Sequence, residues 1–372
     1  MQSTTKFIGL DVSKEKISVA VADAGGESPR YYGSISHTAA ALRKLIKELG
    51  PAETLSFCYE AGPTGYETYR WISSMGAHCV VIAPSLIPKR PGDQVKTDRR
   101  DAEQLARLFR AGELTPVYVP EREDEALREL VRAREAAKED THRARQRILK
   151  FLLRHQIEPP ATIKRRWTKK YRAWLGQLTF PYEPMQVAFD EMLHALNESE
   201  QRMGRLEKAL VQQAVVGPKA DLIQVLQSLR GIGLLTAITL ASEIGSFARF
   251  RSPAQLMAYL GVVPREYSTG QSTWRGSMTK TGNGRLRRAL VESAWSYRHR
   301  PAVKGDLAKR LDGMPAEIQL LSWKAQERLH HKYRHLVFRK NKHKNVAIGA
   351  VARELTGFIW AVARTVKQPG AN

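Results

Sequence analysis

Phe7-Ile8-Gly9-Leu10-Asp11-Val12, a polar turn, and then Lys16-Ile17-Ser18-Val19-Ala20-Val21-Ala22 form the first patterned stretch of the chain. Apolar and β-branched residues fill both runs, which predicts two short buried strands. Working outward, the pattern predicts a third strand over 30–35, a helix over 38–49, a strand over 55–60, a helix over 65–75 and a strand over 78–82. Ala102, Leu105, Ala106 and Leu108 recur at helical spacing and predict a helix over 97–111. A β-meander passing into alternating helix and strand is the order of a mixed α/β sheet covered by helices.

Beyond about residue 121 the texture changes to long, charge-laced helical segments over 126–155 and 185–216. Between them, 159–184 is basic and aromatic, with Arg165, Arg166, Trp167, Lys169, Lys170, Tyr171 and Trp174. The two helices read as a hairpin arm; a dimerising coiled coil and an ordinary helical linker both satisfy the pattern. From 218 onward the chain is mainly helical, interrupted by a Gly/Ser/Thr-rich segment at 261–284. The expected class is α/β plus α, in three parts: 1–120, 121–217 and 218–372.

Sixty Lys+Arg against 37 Asp+Glu leave a net charge of +23, a field suited to a polyanion. No uninterrupted run of about 18 apolar residues and no signal-peptide pattern is found, which turns the expectation from a membrane to nucleic acid. Cys58 and Cys79 lie in apolar stretches and read as reduced core residues of a cytoplasmic protein.

Four acids stand where elements present them. Asp11 and Glu60 each end a short apolar strand, and Asp98 and Asp101 lie three apart on one helix face. Singly, each has a simpler reading as a turn, strand-end or helix-N-terminal acid. Convergence of the four is unfavourable without cations, and Mg²⁺ fits because it takes carboxylate and phosphate oxygens together. Lys96, Arg99 and Arg100 flank the helical pair, as expected where a phosphate backbone approaches.

Gly9-Leu10-Asp11-Val12-Ser13-Lys14, Tyr59-Glu60-Ala61-Gly62-Pro63-Thr64-Gly65 and Lys96-Thr97-Asp98-Arg99-Arg100-Asp101-Ala102 resemble the DEDD motifs of the insertion-sequence-110 (IS110) transposases. The resemblance implies an RNase H/RuvC-like N-terminal domain, a coiled-coil arm and a C-terminal transposase domain. It also implies that Asp11, Glu60, Asp98 and Asp101 bind metal, two Mg²⁺ ions with Mn²⁺ as a substitute. Family members take their specificity from a structured bridge RNA, so donor DNA, target DNA and RNA are the implied partners. Chemistry on two duplexes implies a homodimer or homotetramer.

In the C-terminal part, Leu229-Arg230-Gly231-Ile232-Gly233 before an apolar helix has a helix-hairpin-helix pattern. Arg230, Gly231 and Gly233 are the candidate phosphate contacts; a tight turn with a packing role is the alternative. The segment from Leu260 through Ser268 and Gly270 to Asn283 is similar to the family block that carries a catalytic serine. That likeness places the nucleophile at Ser268, with Ser272 in reserve and Ser277 behind it. Arg265, Arg275, Lys280 and Arg287 are candidate phosphate contacts there, as are Arg339, Lys340 and Lys342 in the basic run of 324–344. His330, His331, His335 and His343 lack zinc-like spacing and read as nucleic-acid-contacting or surface residues rather than ligands. Two rival functions remain at this point: a RuvC-type nuclease using water, and a non-catalytic nucleic-acid binder.

Overall fold

The computed structural model describes residues 6–88, 97–270 and 272–366. The chain forms two compact units, 1–120 and 121–372.

In the first unit, β1 (Lys6–Val12), β2 (Lys16–Asp23), β3 (Arg30–Ser36), α1 (Ala39–Leu49), β4 (Leu55–Glu60), α2 (Glu67–Ser74), β5 (His78–Ile82), α3 (Asp98–Arg110) and β6 (Pro116–Val117) follow in order. They build a six-stranded mixed sheet of order β3-β2-β1-β4-β5-β6. β1 runs antiparallel to β2 and parallel to β4, and β4 parallel to β5. Strand alternation divides the side chains between two faces. Ile8, Leu10, Ile17, Val19, Phe57, Tyr59 and Val81 pack with Leu42, Leu45 and Ile46 of α1 and Ile72 of α2. Phe7, Ala20, Ala22 and Cys58 face the other way, against Ala102, Leu105 and Ala106 of α3. Small residues there let the helix come close. A Cβ on Gly9 would lie 2.3 Å from the Ala102 carbonyl oxygen and 2.4 Å from the Ala106 nitrogen.

The second unit contains α4 (Arg122–Arg154), α5 (Lys169–Leu175), α6 (Glu183–Val216), α7 (Ala220–Leu226), α8 (Leu234–Ile244), α9 (Pro253–Tyr259), β7 (Pro264–Thr269), β8 (Ser272–Met278), α10 (Gly284–Ala294), α11 (Asp306–Leu311), α12 (Ala316–Arg334) and α13 (Lys344–Ala363). α4 and α6 pair antiparallel through Arg145–Glu200 at 2.8 Å, Arg202–Asp140 at 3.2 Å and Arg134–Glu207. Their outer half has its own core of Ile148, Phe151, Leu152, Tyr171, Leu175, Phe189 and Leu196. Both helices exceed thirty residues, about 50 Å of length at ~1.5 Å per residue.

Helices α7–α10, α12 and α13 share one core, with α13 contributing Ile348, Val351, Leu355, Ile359 and Val362, while Leu307 and Leu311 of α11 pack with Met314 and Ile318 in a smaller cluster. Among the described residues, α13 is the one helix long and apolar enough by composition to cross a membrane, with mean hydropathy 1.5. Its uninterrupted apolar runs are short, because Arg353 and Glu354 divide it. Glu354 pairs with Arg328 at 3.2 Å and with Lys332, both on α12. An apolar stripe this broad is what a central core helix requires.

The Ser/Thr/Gly segment read as an irregular interruption is a β-hairpin, β7–β8. Both faces of this ribbon are largely exposed, so no apolar alternation marked it in the sequence.

Candidate active site

Asp11 and Glu60 stand at the same end of the sheet because the strands that carry them are parallel neighbours. The β1–β4 register ends at Leu10 opposite Tyr59, so Asp11 and Glu60 come next along their strands. Counting by twos, Asp11 shares a face with Phe7 and Gly9, and Glu60 with Cys58. That is the face α3 covers. α3 runs antiparallel to β1, since Phe109 packs on Phe7 at 5.7 Å while Ala102 and Ala106 sit on Gly9. Its N-terminus, with Asp98 and Asp101, therefore comes over the end of the sheet where Asp11 and Glu60 stand. A direct contact agrees: Lys16, at the start of β2, pairs with Asp98 at 3.4 Å.

Thr97 caps α3 by accepting from the Arg100 amide at 3.3 Å. Arg99 pairs with Glu103 at 2.9 Å and lies over the Tyr31 ring. Lys96 lies outside the described residues. The donors at this end of the sheet are carboxylate oxygens, the chemistry a hard divalent cation prefers. Among the described residues, no three His, Cys, Asp or Glu side chains stand close enough to hold one ion.

The hairpin of the second unit carries Ser268. Glu266 opposes Arg275 and Ser268 opposes Thr273, so these four share one face. Tyr267 and Trp274 oppose each other on the other face, ring centroids 5.5 Å apart. The Ser268 hydroxyl donates to Glu266 Oε1 at 3.1 Å, and Arg275 Nε donates to Glu266 Oε2 at 3.0 Å. The bond from Arg275, helped by the one from Ser268, holds the exposed Glu266 carboxyl below its ordinary range. Ser272 lies opposite Thr269, with hydroxyls 3.3 Å apart; Ser277 is exposed further along β8. Glu266 was not singled out in the sequence. Its signal was the two-residue offset from Ser268, which acquires meaning only once the segment is known to be a strand.

The hairpin base is closely held. Gly261 and Gly282 leave no room for a side chain: a Cβ would lie 2.2 Å from the Thr281 and Tyr259 carbonyl oxygens, respectively. Arg287 donates to the carbonyls of Leu260 at 3.3 Å and Gly282 at 3.2 Å, and to that of Thr281. Lys280 is exposed with φ +57°, a conformation that a side chain keeps only when its surroundings impose it. Arg265 is exposed on β7.

In the turn between α7 and α8, Gly231 packs against α10, its would-be Cβ 2.4 Å from the Ser293 carbonyl oxygen. Arg230 donates to the Arg300 carbonyl at 2.7 Å. Gly233 is exposed at the N-terminus of α8, with open space at its Cβ position. Arg339, Lys340 and Lys342 are exposed between α12 and α13.

Acids gathered at one end of a mixed sheet, with a basic helical unit presenting a polar hairpin, are the equipment of a protein that works on nucleic-acid strands. Residues 8–157, which include all four acids, match the DEDD-type IS110 transposase family. Residues 223–306, which include Ser268, match the family described as transposase IS116/IS110/IS902. The chain is 45% identical to the y4qE protein of Sinorhizobium fredii, named as a transposase, over 97% of this chain and 89% of that one. It is 33% identical to the transposase for insertion sequence element IS1533 of Leptospira borgpetersenii, over 90% of this chain and 98% of that one. With the transposase for insertion sequence element IS1328 of Yersinia enterocolitica the identity is 27%, over 96% of each chain. The protein is a transposase, an enzyme that cuts and joins DNA. It belongs to the IS110 family of insertion-sequence transposases.

Proposed function

We propose that this transposase cuts and rejoins DNA through a Mg²⁺-dependent Asp11/Glu60/Asp98/Asp101 site and a Ser268 nucleophile, under the direction of a bridge RNA. The observation that supports it most is the shared face and end of Asp11 and Glu60 on adjacent parallel strands, with the acidic N-terminus of α3 above them. The unit 1–120 is then a RuvC-like catalytic domain, 121–217 a coiled-coil arm and 218–372 the transposase domain. The four carboxylates would hold two Mg²⁺ ions, which supply charge neutralisation and Lewis acidity at the scissile phosphate.

The chain's own steps are three. Basic residues, among them Lys96, Arg99, Arg100, Arg265, Lys280, Arg339, Lys340 and Lys342, hold phosphates of donor and target DNA and of the RNA. The Ser268 oxygen forms a bond to phosphorus while one P–O ester bond breaks; the serine proton leaves and the departing DNA oxygen gains one. The resulting phosphoserine keeps the ester energy for rejoining, which water attack does not. Working on two duplexes at once calls for a homodimer or homotetramer, acting on the nucleoid in the bacterial cytoplasm.

The test is incubation of the full-length protein with RNA transcribed from its flanking non-coding DNA, donor and target duplexes and Mg²⁺. A phosphoserine–DNA adduct at Ser268, lost in Asp11→Ala and on chelation, is expected. Cleavage without an adduct would transfer the reading to a water-using nuclease.

A further inference from the structure

A serine hydroxyl is a weak nucleophile until a neighbouring group takes its proton or aligns it. On the hairpin, that neighbour is visible. The Ser268 hydroxyl already donates to Glu266 Oε1 at 3.1 Å, and the second oxygen of the same carboxylate is held by Arg275 at 3.0 Å. All three side chains stand on one face of the ribbon. The nucleophile, a base within reach and a third group orienting the base form the arrangement by which hydroxyl nucleophiles are activated on unrelated folds.

We propose that Glu266 activates Ser268, aligning its hydroxyl and accepting its proton as the oxygen adds to phosphorus. This rests on the reading of Ser268 as the nucleophile. As the O–P bond forms, the O–H bond of Ser268 breaks and its proton moves to Glu266 Oε1. The P–O bond to the departing DNA oxygen breaks with its electron pair on that oxygen, which takes a proton from solvent. Glu266 returns its own to solvent. In rejoining, a DNA hydroxyl attacks phosphorus and the serine oxygen leaves, recovering a proton through the same carboxylate.

Arg275 gives the arrangement a substrate-dependent element. It is the charged group facing Glu266 from β8; Arg265 and Tyr267, the neighbours within β7, lie toward the opposite face. While it bonds Glu266, Arg275 keeps that carboxylate a weak base. A phosphate that draws the guanidinium away lets Glu266 return toward its ordinary basicity when the serine must lose its proton. The geometry also separates the two candidate serines, since Ser272 shares its hydrogen bond with Thr269 on the other face.

The experiment measures the rate of adduct formation by the full-length protein with RNA, Mg²⁺ and donor and target duplexes. Glu266→Gln is expected to slow it about 100-fold, within the usual range for loss of a general base. Duplex affinity and melting temperature should stay unchanged, because the side chain is exposed. Glu266→Asp is expected to recover about tenfold of that loss. A readout that a merely structural carboxylate would not move is the pH profile. The base works only when deprotonated, so the rate at sub-saturating duplex, which reports the free protein, falls as pH drops through the lowered pKa of Glu266, and Arg275→Ala should move that acid limb to higher pH.

Adduct formation by Glu266→Gln within about threefold of wild type, with Ser268→Ala inactive, overturns the role of Glu266 and leaves the serine reading standing. Full activity of Ser268→Ala overturns the serine reading itself, and this inference with it.

Discussion

Asn283 Nδ2 donates to Glu243 Oε2 at 2.7 Å. Asn283 is also the cap of α10, accepting from the amides of Arg285 and Leu286 through Oδ1. Glu243 is 3% exposed and receives a two-pronged bond from Arg132 of α4, at 3.0 and 3.2 Å. One buried carboxylate therefore joins the base of the α4–α6 pair to the residue that caps α10, shortly after the serine hairpin. Arg285 of α10 repeats the link by pairing with Glu135 of α4 at 2.7 Å.

Glu243→Ala should destabilise the protein by about 3–5 kcal/mol, because it leaves the buried Arg128, 3.8 Å away, without its carboxylate and removes the acceptor of Arg132 and Asn283. Asn283→Ala should cost less, about 1 kcal/mol, as a lost helix cap does. Denaturant unfolding checks both. A midpoint for Glu243→Ala equal to wild type would show that the linkage contributes nothing.

Gly9→Val should destabilise the first unit and abolish strand cleavage together. Its side chain would enter the space of the Ala102 carbonyl and Ala106 nitrogen, displacing α3 and with it Asp98 and Asp101. Overpacking of this kind costs about 1–3 kcal/mol. Differential scanning calorimetry and a cleavage assay test the pair. A variant with full cleavage would mean that the acids do not depend on this close approach.

Cys58 and Cys79 are fully or nearly buried on adjacent strands, and burial pushes both thiols well above their ordinary range. The reactive thiolate is then scarce in the folded state. Native protein should resist an alkylating reagent at pH 8 and become labelled at both positions once denatured. Rapid labelling without denaturant would contradict the burial.

The segment between α12 and α13 should report on phosphate contacts through salt. If Arg339, Lys340 and Lys342 each neutralise one phosphate, replacing all three by Ala lowers the slope of log K against log salt by about 2.7 on duplex DNA, from ~0.9 per contact. An unchanged slope would assign the binding elsewhere.

Much of the first unit was readable because its strands are buried and its helices amphipathic. β1, β4 and β5 matched their expected bounds within a residue, since apolar runs bounded by turns leave few alternatives. The adjacency of the strands that carry Asp11 and Glu60 was inferable only as a condition, because it is set by long-range pairing that periodicity does not encode. The short strand at Pro116–Val117 escaped notice, being two residues held by a neighbour rather than by its own pattern. The β7–β8 ribbon escaped for the opposite reason: it buries so little that its sequence looks like a loop. With it escaped the Ser268–Glu266–Arg275 relation. Arg230 and Arg287 were singled out for their charge, yet each donates to backbone carbonyls within the unit. Formal charge in a sequence does not distinguish a guanidinium facing solvent from one already committed to the fold.

The exposed ribbon also bears on how the enzyme can change. Side chains from 265 to 269 and 272 to 275 are exposed and support almost none of the core, whereas the glycines at the base admit no replacement. Variation at the tip is thereby uncoupled from folding. A lineage, or a directed-evolution library, can explore alternative side chains on those positions while the rest of the molecule stays intact. Side chains carried this way are exchangeable, in the manner of a tool bit held in a fixed chuck.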